Sequence, residues 1–169
     1  AAHPNYLTWV VLKGHTTNVA GEVTLTSADP RVRPAINFKY FDEGSDPAGP
    51  DLEAMVTGIA LVRRMAAGLA NTVEFEEELP GPAYDTPDKL REFVRTHAWG
   101  HHASCSCAIG LRERGGVLTS EFKVHDTTNL RVVDASVFPR VPGLFIVSAV
   151  YMIGEKAADV IIAAARGGG

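Results

Sequence analysis

The chain has 169 residues, room for about one domain with a buried core. Apolar residues make up 46% and charged residues 21%, close to the norm for soluble globular chains, which argues against wholesale disorder and against a coiled coil. A net charge of −4 implies no strongly basic face, so nucleic acid is a poor default partner, and apolar runs such as 160–165 are far shorter than the ~20 residues of a membrane span.

The first residues, Ala1-Ala2-His3-Pro4, lack an initiator Met and the basic-then-apolar pattern of a signal peptide; the expectation is a chain trimmed or cut from something longer. Residues 6–13 are rich in β-branched and aromatic types and read as a buried strand. After a polar turn over 14–20, residues 21–27 alternate, with Val23 and Leu25 on one face and Thr24 and Thr26 on the other, as in a half-buried strand. These two segments predict an antiparallel hairpin with a long loop. A turn at Ser27-Ala28-Asp29-Pro30 leads to a third alternating strand over 35–40. Residues 44–50 read as a loop. Leu52, Met55, Val56, Ile59, Val62, Ala66 and Leu69 then recur at helical spacing, which predicts an amphipathic helix over 51–70 with Asp51 as its N-cap.

Residues 72–79 read as extended, with the acidic run Glu76-Glu77-Glu78 solvated, and Pro80-Gly81-Pro82 breaks the chain. Thr86-Pro87 has the form of an N-cap followed by Pro at the first helical position, opening a second helix that reaches Ala98 and is apolar along Leu90, Phe93 and Val94. Residues 99–110 are small, polar and histidine-bearing, and Gly115-Gly116 marks a turn. Residues 130–134 read as a short apolar strand ending in Asp134. A last helix over 149–165 carries Val150, Ile153, Ala157, Val160 and Ile161 on one face, and 166–169 reads as a frayed end.

Cys105 and Cys107 stand one residue apart, poorly placed for a structural disulfide. With His97, His101 and His102 nearby, a metal site has to be considered. Structural zinc sites pair their ligands, and here one Cys-x-Cys stands without a second pair, so no metal is expected. No local signature supports a cysteine nucleophile, and the two thiols read as small residues packed close to a neighbour. His102 lies in a segment that does not read as core. Histidine is suited to proton transfer near neutrality, although a loop histidine hydrogen-bonded to backbone has the same spacing. No Gly-x-Gly-x-x-Gly opens a helix after a strand, so the chain lacks its own dinucleotide fingerprint, and no Gly-x-Ser-x-Gly elbow is present. The start of the last helix, near Ser148, offers unpaired N–H groups and a positive dipole end to an anionic ligand; an ordinary packed helix is the plainer reading.

The run Asn129-Leu130-Arg131-Val132-Val133-Asp134-Ala135-Ser136-Val137-Phe138-Pro139 closely resembles the C-terminal signature of the glucose–methanol–choline (GMC) flavin oxidoreductases, which often have glycine where Asn129 stands. Met152-Ile153-Gly154-Glu155-Lys156-Ala157-Ala158-Asp159 resembles its continuation into the last helix. Upstream, His102-Ala103-Ser104-Cys105-Ser106-Cys107-Ala108-Ile109-Gly110 is similar to the family's His-Pro-x-Gly-Thr-Cys-x-Met-Gly. Gly21, Val23, Leu25, Ser27, Asp29 and Pro30, continued by Pro34, Ile36 and Tyr40, resemble its hairpin strand. The four motifs occur in order over nearly the whole chain.

The resemblance implies the C-terminal portion of a GMC enzyme, whose FAD fingerprint lies in an N-terminal part absent here. Its fold class would be α+β. Residues 1–98 would belong to the substrate domain, an antiparallel sheet with covering helices. Residues 99–169 would supply the active-site loop and a strand–helix segment that completes the FAD-binding domain. His102 would be the acid–base partner of an alcohol hydroxyl, with hydride passing to flavin N5. His101 and Phe145 would line the substrate pocket. Asp134 and Ala135 would lie near the FAD ribityl and pyrophosphate, and the Ile146 and Val147 backbone near the flavin pyrimidine, where a helix N-terminus helps stabilise negative charge. The implied partners are the N-terminal FAD-binding part and a small-molecule substrate. Two departures stand out: Phe145 occupies the position of a second polar residue, Asn or His, and Ala103 and Cys105 replace Pro and Gly. Other readings are a GMC-fold flavoprotein with lyase-type or other non-alcohol chemistry, an inactive relative, and a stand-alone binding module.

Overall fold

The computed structural model describes residues 5–45 and 49–167. The opening tetrapeptide, residues 46–48 of the expected loop and the last two glycines of the expected frayed end lie outside the described residues. The chain divides into two compact units, Ala1–Trp99 and Gly100–Gly169. The architecture is α+β: strands β1 (Glu22–Thr24) and β2 (Ala35–Asn37) form a two-stranded antiparallel sheet, followed by helices α1 (Pro50–Leu69), α2 (Pro87–His97) and α3 (Val147–Gly167). Single 3-10 turns occupy Phe41–Glu43, Arg112–Arg114 and Ala135–Val137.

In the first unit β1 pairs with β2, with Val23 opposite Ile36, and not with residues 6–13 as the sequence predicts. The 6–13 segment forms no strand, and Tyr6, Leu7 and Val10 are largely exposed. Its composition favours extended backbone, but a strand exists only where a neighbour completes the ladder, and no described segment does so. It packs instead beside α1, where a Cβ on Gly58 would stand 2.5 Å from Val11 Cγ1, so only glycine permits this approach. β2 stops at Asn37, short of the expected Tyr40, because Lys39 takes a left-handed φ of 47° that turns the chain out of the ladder.

Asp51 is not the N-cap of α1. Gly49 takes that position and Pro50 the first helical one, where its missing N–H costs nothing. The buried Asp51 carboxylate reaches 34 residues back and accepts the Thr17 N–H at 3.0 and 3.1 Å and the Asn18 N–H at 3.1 Å, with the Lys13 ammonium at 3.3 Å. Burial by itself raises its pKa, but these N–H groups and Lys13 outweigh it and hold the carboxyl below its ordinary value. Asn18 extends the tie: its side-chain amide donates to the Lys39 carbonyl at 2.9 Å and its oxygen accepts the Ser45 N–H at 3.1 Å.

The α2 start follows the sequence, with Thr86 Oγ1 accepting the Lys89 N–H at 3.3 Å. Leu52 and Val56 of α1 pack with Leu90, Phe93 and Val94 of α2 to form this unit's core, and Tyr84 meets Phe93 edge-on at 5.2 Å. The acidic run is not wholly solvated. Arg63 grips Glu77 through two nitrogens and also donates to the Tyr84 carbonyl at 2.7 Å, pinning the 77–84 stretch to α1. The Arg63 guanidinium holds the Glu77 carboxyl below the usual range, against burial, which pushes it up.

The second unit is built on Leu118, Phe122, Val137 and Ala157, all almost fully buried, with Ile153 and Val160 of α3 packed against them. Ile161, expected on the same helix face, stays exposed. Residues 130–134 do not form the predicted strand. Arg131 makes one antiparallel bridge with Lys123, between a left-handed Asn129 (φ 61°) and the turn that Asp134 caps, which leaves no room for a ladder. Among the described residues no helix is long and apolar enough to cross a membrane.

Candidate functional site

The site residues expected from the sequence after Gly100 are drawn together by backbone bonds between two irregular segments. The N–H groups of Cys105, Cys107 and Ile109 donate to the carbonyls of Ala135, Ser136 and Val137 at 3.2, 2.9 and 2.9 Å. Every second residue from 105 to 109, the stretch that follows the histidines, is thus fastened to the 3-10 turn Ala135–Val137, whose Val137 sits in the core. The Asp134 carboxylate accepts the Ser136 N–H at 2.8 Å and the Ser136 hydroxyl, so its work within the chain is to shape this turn. Cys107 packs against the core cluster, and both thiols are free. Cys105 has φ 71°, the left-handed conformation natural to glycine, the residue expected at this position from the resemblance. Asn129, the other such position, is left-handed as well.

This anchored loop carries His102, whose half-buried ring meets Phe145 edge-on with centroids 5.8 Å apart and planes at 72°. The ring of the exposed His101, the preceding residue, stands against His102 with centroids 4.4 Å apart and planes at 62°. The structure therefore brings His101, His102 and Phe145 into one cluster. Of its three rings, two can exchange a proton and one cannot.

Phe145 leads directly into Ile146, which is buried, and Val147, the first residue of α3. The Val150 N–H donates to the Ile146 carbonyl at 2.9 Å, which leaves the N–H groups of Val147, Ser148 and Ala149 without an acceptor among the described residues. The Ala135 N–H, two bonds from the His102 loop's anchor, is likewise without one among them. Sequence reading did not name the residues of the apolar surface that continues this cluster: Leu144, Tyr151 and Met152 are all more than 60% exposed, as is Phe145 at 68%. Ile146, Val147, Val150, Tyr151, Gly154 and Glu155 line a shallow hollow beside it. The signal was a helix whose first turns are apolar on more faces than one core can bury. An apolar surface bordered by free backbone N–H groups suits a planar aromatic group that carries negative charge, and a flavin with its pyrophosphate has that composition. Among the described residues no three His, Cys, Asp or Glu side chains gather as a metal would need.

The family model described as GMC oxidoreductase matches residues 17–154. The chain is 36% identical over 150 residues to choline oxidase from Arthrobacter globiformis, covering 87% of this chain and 27% of that protein. It is 37% identical over 145 residues to the chloroplastic fatty acid photodecarboxylase of Chlamydomonas reinhardtii, covering 83% of this chain and 23% of that protein. A solved structure of Aspergillus oryzae formate oxidase, from work on its FAD modification, superposes with a TM-score of 0.67 at 34% identity, over 85% of this chain and 24% of that one. The chain spans about a quarter of the length of the curated relatives it matches. Motif order, family match and shared fold agree over most of the chain, and it belongs to the GMC oxidoreductase family.

Proposed function

We propose that this chain is the substrate-side and active-site portion of an FAD-dependent oxidoreductase that oxidises a primary or secondary alcohol, with His102 as the acid–base. The observation that carries this reading is the anchoring of His102. Three residues of its loop, Cys105, Cys107 and Ile109, are bonded to a turn seated in the core, and its ring is set against Phe145. A proton-transfer group has to be held in place in this way. Residues 1–98 would serve the substrate domain and 99–169 would complete the FAD domain, with the N-terminal FAD-binding part as partner. Ala135 and Val147 would offer backbone N–H groups to the cofactor, with Asp134 shaping the turn and Ile146 setting the entry to α3. Bound FAD would supply the two-electron acceptor. His102 would take the hydroxyl proton at a ring nitrogen, and Phe145 would exclude water and favour an apolar substrate.

Anaerobic addition of a panel of alcohols to the FAD-loaded full-length enzyme tests this. Loss of oxidised-flavin absorbance with at least one alcohol is the expected result, and no bleaching by any of them sinks it. A second reading, non-alcohol or lyase-type flavin chemistry, is favoured by two observations. Phe145 offers His102 no second proton partner, and the fatty acid photodecarboxylase matches this chain as well as the oxidase does. Absence of bleaching would support it.

A further inference from the structure

The His102 ring makes no hydrogen bond among the described residues; it meets the rings of Phe145 and His101 edge-on. A proton-transfer group ordinarily takes its orientation from a third group hydrogen-bonded to it. Here the orientation has to come from the backbone that carries the ring. That backbone is held just downstream, where the N–H groups of Cys105, Cys107 and Ile109 donate to the carbonyls of Ala135, Ser136 and Val137. The direction of these carbonyls is set in turn by the 3-10 turn to which they belong.

Ser136, the middle residue of that turn, stands outside the site residues that the sequence singles out, yet it is tied twice to one atom. Asp134 Oδ1 accepts its backbone N–H at 2.8 Å and its hydroxyl as well. The Asp134 carbonyl accepts the Val137 N–H at 3.2 Å and closes the turn. Almost any residue at 136 could supply the first of these bonds, because an aspartate bonds readily to the N–H two residues on. The hydroxyl bond requires serine or threonine. Asp134 is exposed, so with the N–H bond alone water competes for its carboxylate, whereas Ser136 is half-buried and its hydroxyl holds that carboxylate in one orientation. We propose that Ser136 is a positioning residue for the acid–base chemistry of His102. Its hydroxyl fixes the Asp134 carboxylate, and with it the peptide planes whose carbonyls hold the His102 loop. This rests on the acid–base reading of His102; Ser136 acts through that histidine and needs no contact with substrate.

The test follows anaerobic flavin reduction by a bleaching alcohol in the FAD-loaded full-length enzyme, with rates taken at saturating alcohol and per bound flavin. S136A is expected to slow reduction about tenfold, the scale of a displaced reacting group. S136C, close to serine in size but only a weak donor, is expected to slow it in the same direction. S136T keeps the hydroxyl and stays within about twofold of wild type. The decisive comparison is H102A with H102A/S136A: a residue that acts only through His102 has nothing left to position, so the two reduce flavin at the same rate. Wild-type rates in S136A and S136C, slowing in S136T equal to that in S136A, or a further tenfold loss on adding S136A to H102A each overturn the proposal. H102A alone separates the two claims. If H102A loses reduction while S136A matches wild type, the positioning role fails and the acid–base reading stands; if H102A reduces normally, both fail.

Discussion

The ring of His102 meets the ring of Phe145 edge-on at 5.8 Å, so the proposed proton acceptor is flanked by a group that can position it but cannot share its proton. Phe145→Ala removes that flank and leaves His102 free to sample other orientations. The expected outcome is a fall of about tenfold in the rate constant for flavin reduction by an alcohol, the usual scale for a loosened reacting group. Rapid-mixing absorbance measurements check it. An unchanged rate would mean that the loop anchoring alone orients His102.

Asp51 ties two stretches of the first unit that are far apart in sequence. Asp51→Ala leaves the Thr17 and Asn18 N–H groups and Lys13 without their acceptor. The expected loss is about 2 kcal/mol, the scale of hydrogen bonds to a charged group. The pH dependence follows from its sign. The folded carboxyl sits below its ordinary value of 3.8, so its contribution is fully present above pH 3.8 and disappears as the pH falls through the lower folded value. Denaturant unfolding of wild type and variant should therefore differ most at neutral pH and converge in strong acid. A gap that widens on acidification contradicts this.

Cys105 holds a left-handed backbone that costs a residue with a Cβ about 1 kcal/mol or more. Cys105→Gly relieves that strain, partly offset by the greater freedom of glycine in the unfolded chain, and the net expectation is a stabilisation of about 0.5 kcal/mol. Thermal unfolding measures it. Destabilisation would show that packing of the thiol outweighs the backbone strain. Asn129→Gly, at another left-handed position, should change stability less, because Asn tolerates this conformation well.

The three helices were legible because each repeats apolar residues at helical spacing over many residues, and Thr86-Pro87 marked the α2 start on purely local grounds. The strands were not. Residues 6–13 have strand composition, and residues 130–134 have it too, yet pairing depends on which neighbour is present, and composition does not encode that. Asp51 sits where an N-cap residue belongs, but its partners are Thr17 and Asn18, 34 and 33 residues away, beyond any local pattern. The expectation for His101, His102 and Phe145 came from the family resemblance, since spacing alone favoured a plain loop histidine at 102. The bonds from Cys105, Cys107 and Ile109 to residues 135–137 join irregular segments and leave no periodic trace.

The central claim is that His102 takes the substrate's proton, and His102→Ala in the FAD-loaded full-length enzyme tests it most directly. Anaerobic flavin reduction by a bleaching alcohol is predicted to slow by about 100-fold or more, the contribution expected of a positioned acid–base group. Reduction at the wild-type rate would contradict the account.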